Sequence, residues 1–211
     1  MMRMRWMSSP FYKISDWFMK LALLNFFWAI FTFLGFVVFG LFPSTVAMFT
    51  VLRRMVQSQD ETFNSYGVFQ EFFQTWKKEF FTSNRFGLIF ISVGWLLWFN
   101  ASLILLFEGI PLTIMLTAMI GTSVFFIVAL LFWFPVYVQF QLSWTNYLKV
   151  ALLLPFTDFR TSLISIFGAI SFGMIVYSFP VFAIFFGISG LGWIIMKASN
   201  YSFEKMKVRH A

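Results

Sequence analysis

From Leu21 to Leu52 the chain runs thirty-two residues without a charge, and Gly40-Leu41-Phe42-Pro43-Ser44-Thr45 interrupts that run near its middle. A helix needs only about 20 residues to cross the hydrocarbon of a bilayer, so the run is too long for one upright span and too apolar for a water-facing surface. It specifies a membrane element with a bend. Gly40 removes a side chain at the break, and Pro43 cannot donate the backbone bond that an unbroken helix requires there. The expected arrangement is a crossing over Leu21 to Phe39 and a shorter helix, Ser44 to Leu52, that leaves in a new direction and ends at Arg53-Arg54.

Three further charge-free stretches follow, Phe86 to Phe107, Gly109 to Leu148 and Thr161 to Met196, and the four together hold 130 of the 211 residues. Only 11% of the chain is charged, against about 25% in a soluble domain. Residues 1–211 therefore read as one all-α integral membrane domain of four to six membrane segments, two of them short or re-entrant. The first of those segments reads as an uncleaved anchor, because its apolar run is too long for a signal peptide and lacks a small-x-small exit.

The connections follow from the same logic. Phe11, Tyr12, Ile14, Trp17 and Phe18 suggest a short interfacial helix before the first span. Gln57 to Asn64 reads as a polar loop. Beyond Gly67, Phe69, Phe72, Phe73, Trp76 and Phe80 fall on one helical face, with Glu71, Gln74 and Lys78 opposite. That pattern predicts an amphipathic elbow helix, either flat in the headgroup region or packed on the protein's own spans, and stopped by Ser83-Asn84-Arg85. Phe86 to Phe107 is a full crossing, and Glu108-Gly109-Ile110-Pro111 makes a tight turn into the next, which runs to about Pro135. Gln139, Gln141, Ser143 and Asn146 then leave the hydrocarbon, Ala151 to Leu154 continue along the surface, and Pro155 to Arg160 turn the chain. One helix over Thr161 to Met196 would be about 54 Å long. Leu163 to Phe179 is thus one crossing and Val181 to Met196 a return or a re-entrant broken helix, turning at Pro180 or in the cluster Gly187, Gly190 and Gly192. Lys197 to Arg209 read as a wet tail.

Charge orients these segments. If both end regions fold back, all fifteen Lys and Arg lie on one side and Glu108 is the only charge on the other, as the positive-inside rule favours. Both termini are then cytoplasmic. The net charge of +7 reports this retention and an attraction to anionic lipid, with no nucleic-acid partner.

Chemistry has little to stand on. The chain has no cysteine and one histidine, His210, so a metal site, a thiol nucleophile and an imidazole base are not expected. Nor does any spacing suggest a cofactor, a nucleotide or a catalytic residue. The protein reads as a non-enzyme. Among candidate polar sites, Glu108 sits at a helical turn by the water boundary, and Asn25 and Asn100 fall within apolar runs, where an amide needs a helix partner or a cavity. Trp95, Trp98 and Asn100 could form a sugar-stacking platform, with ordinary packing as the simpler reading. Arg53, Arg54, Lys77 and Lys78 suit lipid phosphates or acidic partner residues.

Asn25, the Gly40-Leu41-Phe42-Pro43-Ser44-Thr45-Val46-Ala47 bend, Arg53-Arg54, the elbow ending Glu79-Phe80-Phe81-Thr82-Ser83-Asn84, and Asn146-Tyr147-Leu148-Lys149-Val150-Ala151 together resemble the YesL-like family of small bacterial membrane proteins. The resemblance implies a multi-pass protein of the bacterial cytoplasmic membrane. It also implies a role beside ATP-driven oligosaccharide importers, as an accessory subunit that binds the permease, and indirectly the ATPase, through the aromatic elbow. Two other readings are an autonomous sugar or small-molecule transporter or channel, with an oligosaccharide bound directly, and a membrane sensor or assembly factor.

Overall fold

The long charge-free run does fold back on itself, but ahead of its proline. In the computed structural model, which describes residues 10–57, 65–104, 106–157 and 159–210, helix α1 (Pro10–Leu34) turns through Gly35-Phe36-Val37 into α2 (Val38–Gln57). The expected interfacial helix and first span are one element. Val37 N–H bonds Thr32 C=O at 2.9 Å and Phe36 N–H bonds Phe33 C=O at 3.0 Å, the paired pattern of a Schellman helix end. Such an end needs a left-handed residue, usually glycine; here Phe36 (φ 56) and Val37 (φ 61) take that conformation. Gly35 and Gly40 explain the location. A Cβ on Gly35 would collide with the Gly40 backbone, and one on Gly40 with Thr32, so the hairpin closes only where these two glycines meet.

Pro43 lies inside α2. It has no N–H for the carbonyl of Phe39, four residues earlier, and that carbonyl instead accepts a 2.8 Å hydrogen bond from Asn84 Nδ2. A side chain from another helix thus supplies the missing donor, and the proline that the sequence marked as a break is absorbed.

The same amide corrects the elbow. Ser83-Asn84-Arg85 does not end a helix: α3 (Ser65–Ile104) is continuous for 40 residues, about 60 Å. Asn84 also bonds Phe80 C=O at 2.7 Å, Ser83 is buried, and Gly87 lies against the Phe42 ring. These small and polar residues are where α2 crosses α3. The elbow and the second apolar run are therefore the two halves of one helix.

After Glu108 in extended conformation and Gly109 at φ +64, α4 (Gly109–Gln139) returns beside α3, with Phe86 against Trp133 at 4.9 Å and Phe90 against Phe126 at 6.1 Å. Helix α5 (Trp144–Thr157) follows, then α6 (Phe159–Ser178) and α7 (Val181–His210). The last hairpin turns at Phe179-Pro180 and the glycine cluster stays helical. Residues of the expected wet tail continue α7 as helix. Trp17 meets Trp193 at 4.8 Å and Phe18 meets Phe186 at 5.7 Å, so α7 packs on α1.

Among the described residues, five helices are long and apolar enough to cross a membrane, over Phe11–Leu34, Ser65–Ile104, Gly109–Gln139, Arg160–Ser178 and Val181–Lys205. The protein is an all-α, multi-span membrane protein. Helix α2 is not among the five, yet it is the centre of the core, with eleven buried residues and neighbours on α1, α3, α4 and α7. Most of the expected Gln57 to Asn64 loop (58–64), Arg3 and Arg5 lie outside the described residues.

Candidate functional site

The aromatic elbow divides between inside and outside. Phe72 is fully buried, packed on Phe31 of α1 at 5.3 Å and Phe27 at 6.1 Å, and Trp76 also meets Phe31 at 5.3 Å. Phe80 is half-buried against Trp76. Phe69 and Phe73 stack on each other and remain about two-fifths exposed, at 40% and 42%. Of the two settings expected for this face, packing on the protein's own spans is the one found for Phe72 and Trp76. A partner can reach only the outer edge.

The basic residues also divide. Lys77 and Lys78 are exposed. Arg54 pairs with Glu71 of α3 at 3.2 Å. Half-buried Arg53 donates from Nη1 to Val138 C=O in the last turn of α4. The final carbonyls of a helix have no partner within it and carry partial negative charge, so a guanidinium there satisfies an orphan acceptor.

Beyond Arg53 lies a polar tie that the sequence reading did not single out. Gln57 Nε2 donates to Gln139 Oε1 at 2.8 Å and to Asn200 Oδ1 at 2.9 Å, and Asn200 Nδ2 donates to Glu204 at 3.0 Å. One amide therefore joins α2, α4 and α7 at the same end of the bundle. Nearby on α4, Tyr137 donates to Glu79 of α3 at 2.6 Å. Gln139 was legible as the start of polar character in an apolar run; that Gln57 would meet it across 82 residues of chain, and Asn200 across 143, was not.

Asn25 is buried and holds α7. Its Nδ2 donates to Ile184 C=O at 2.7 Å, and its Oδ1 accepts from the N–H groups of Ile188 at 3.0 Å and Ser189 at 3.3 Å. Ile184 C=O and Ile188 N–H are the pair that a regular helix bonds to each other. The Asn25 amide offers both of them a peptide-like partner at the α1–α7 contact.

Of the sugar platform, Trp95 and Trp98 are three apart, share a helix face and are both exposed. Trp98 and Asn100 are both exposed on the far half of α3, and residues two apart point to different helix faces. Asn100 bonds its own helix at Leu96 C=O, 2.8 Å. Glu108 is exposed and makes no capping bond from its side chain.

Between α2, α3, α4 and α7 lies an apolar cavity of about 420 Å³, lined by Phe42, Phe49, Phe90, Leu130, Phe134 and Ile195 among others. Thr45 is its one hydroxyl-bearing wall residue, and that oxygen is engaged: it accepts from Trp28 Nε1 at 3.0 Å and donates to Leu41 C=O at 2.7 Å. Such a wall suits a hydrocarbon chain and offers a sugar nothing to bond.

Long apolar helices around a helix-centred core, with an apolar cavity and a polar tie at one end, define a multi-span membrane protein with a site for apolar groups. The chain belongs to the YesL family of bacterial membrane proteins. The family description "Protein of unknown function, DUF624" matches residues 21–101, from within α1 to near the end of α3. The chain is 31% identical to "Uncharacterized protein YesL" of Bacillus subtilis (strain 168) over 193 residues, covering 92% of this chain and 89% of the relative. "Uncharacterized protein YesV" of the same organism is 31% identical over 196 residues, with 90% of each chain covered. "Uncharacterized protein YteU", also from that strain, is 29% identical over 210 residues, covering 94% and 90%. No solved structure matches.

Proposed function

We propose that the protein is an accessory membrane subunit that associates with the permease of an ATP-driven oligosaccharide importer and, through it, with the ATPase. One observation carries the association: beyond Phe90, which still packs on Phe42 and Trp133, the rest of α3 and the first half of α4 form a hairpin that is largely exposed among the described residues. Asn84 is level with the start of α2 through its bond to Phe39, and the twenty residues from there to Ile104 extend α3 about 30 Å further. On that extension Trp95, Leu96 and Trp98 are exposed, and none of the residues in the most apolar 18-residue window of α4 is buried. A helix pair apolar on all sides suits lipid or another protein's spans. The resemblance to importer-associated proteins names the class of partner. Exposed Lys77 and Lys78 suit lipid phosphates or acidic residues of that partner.

This reading moves the docking surface from the elbow to the hairpin, because Phe72 is committed to α1. The autonomous sugar transporter loses support from the apolar cavity wall. A sensor or assembly role has no distinguishing feature among the described residues.

The test is native mass spectrometry of gently solubilised complexes from cells expressing the importer. Stoichiometric permease and ATPase are expected, with about tenfold less permease recovered when Trp98→Ser and Ile114→Ser are combined. Recovery of the chain only by itself, with the importer present, overturns the proposal.

A further inference from the structure

Just past one end of the cavity, three of its wall helices change character at once. One helical turn beyond Phe49 on α2 is Arg53; one turn beyond Phe134 on α4 is Val138, whose carbonyl Arg53 holds; one turn beyond Ile195 on α7 is Ser199. Residues four apart share a helix face, so all three lie one turn past the cavity's apolar end, on the side of the polar tie of Gln57, Gln139 and Asn200. Among the described residues Arg53 has no carboxylate partner: its bond is to a backbone carbonyl, and a guanidinium carries five N–H donors. The Ser199 hydroxyl is fully buried and makes no hydrogen bond. A guanidinium with donors to spare and an orphan hydroxyl just past the end of an apolar slot are complementary to an anion attached to a hydrocarbon chain.

We infer that this cavity is a built site for one anionic phospholipid, its acyl chain between α4 and α7 and its headgroup at Arg53. The volume of about 420 Å³ lies within the ~300–1,000 Å³ of small-molecule sites. From Leu41 to Phe49 the α2 wall is about 12 Å long, enough for part of an acyl chain. Half-buried Leu130, Leu131 and Leu191 leave the slot open toward the bilayer, and exposed Leu41 and Ile91 leave its far end open for the chain to emerge. The Arg53 end is also the end expected to face the cytoplasm, where anionic lipid is enriched. The inference is independent of the importer proposal.

Native mass spectrometry of the purified full-length chain, exchanged into phosphatidylglycerol or into phosphatidylcholine of the same acyl chains, tests it. One retained lipid per chain is expected, with about fivefold preference for phosphatidylglycerol, the equivalent of one favourable cation near a phosphate. Arg53→Gln should keep one lipid and lose the preference, whereas Arg53→Lys should keep most of it. Because Arg53 also caps α4, Leu191→Trp provides a variant that leaves the cap intact and fills the slot; it should lose the retained lipid while its melting temperature holds. Equal retention of both lipids overturns the inference. So does a preference that survives Arg53→Gln but disappears in Lys77→Gln/Lys78→Gln, or retention untouched by Leu191→Trp.

Discussion

Two asparagine side chains stand in for peptide groups. Asn84 supplies the donor that Pro43 withholds from Phe39, and Asn25 meets the Ile184 and Ile188 backbone groups of α7. Where no water can serve, an unpaired carbonyl is costly, and a neighbouring helix is the available source of a donor. Asn25 was recognisable in the sequence because an amide deep in an apolar run demands a partner. Asn84 was not, since Ser-Asn-Arg is also the composition of a turn, and its partner's need arises from a proline elsewhere. The pairing predicts a coupling. Asn84→Leu should lower stability by about 1–2 kcal/mol, and the loss should shrink in a Pro43→Ala background, where the restored N–H can serve Phe39. Thermal unfolding in detergent of the four chains of this cycle would measure it; additive losses would show that Asn84 and Pro43 act separately.

At the level of elements, the difference between expectation and structure is where helices end. A proline is the strongest local breaker, yet α2 passes through Pro43 and the chain turns at Gly35-Phe36-Val37, with non-glycine residues left-handed. The turn is placed by backbone contact between Gly35 and Gly40, which outweighs the local strain of Phe36 and Val37. Because the Phe36 side chain is 84% exposed, Phe36→Gly loses little packing. It should stabilise the protein by about 0.5–1 kcal/mol, the relief of a left-handed L-residue less the extra entropy of an unfolded glycine. An unchanged or lower melting temperature would count against a strained turn. In α3 the helical period of the elbow was legible, and so was the apolar run after it. Their fusion into one helix was not, because it rests on Asn84 and Gly87 meeting α2.

For the whole molecule, charge and packing mark the same part of α3. Glu71, Lys77, Lys78, Glu79 and Arg85 all lie before Phe86, none follows until Glu108, and the α1–α2 hairpin packs along the charged part. The positive-inside rule predicts both termini and Lys149 on the cytoplasmic side and Glu108 outside. Since the chain lacks cysteine, single replacements report orientation without background. In intact cells a membrane-impermeant maleimide should label Glu108→Cys and should label Lys149→Cys only after permeabilisation; the reverse pattern would invert the topology.

The residue order by itself determined that the chain is an all-α, multi-span membrane protein, because a charge-free run longer than a bilayer is thick has no other stable setting. It also marked the hairpin at Glu108, narrowed the last turn to Pro180 or the glycine cluster, and showed the need of Asn25 for a partner. Only the tertiary structure decided that Pro43 is tolerated, that the elbow and a span are one helix, that Phe72 faces inward, and that Arg53 stands just past the end of an apolar cavity. Burial periodicity and hydropathy are local and survive in one dimension. The satisfaction of an orphan carbonyl, or the choice of which aromatic face is covered, depends on groups far apart in the chain that only packing brings together.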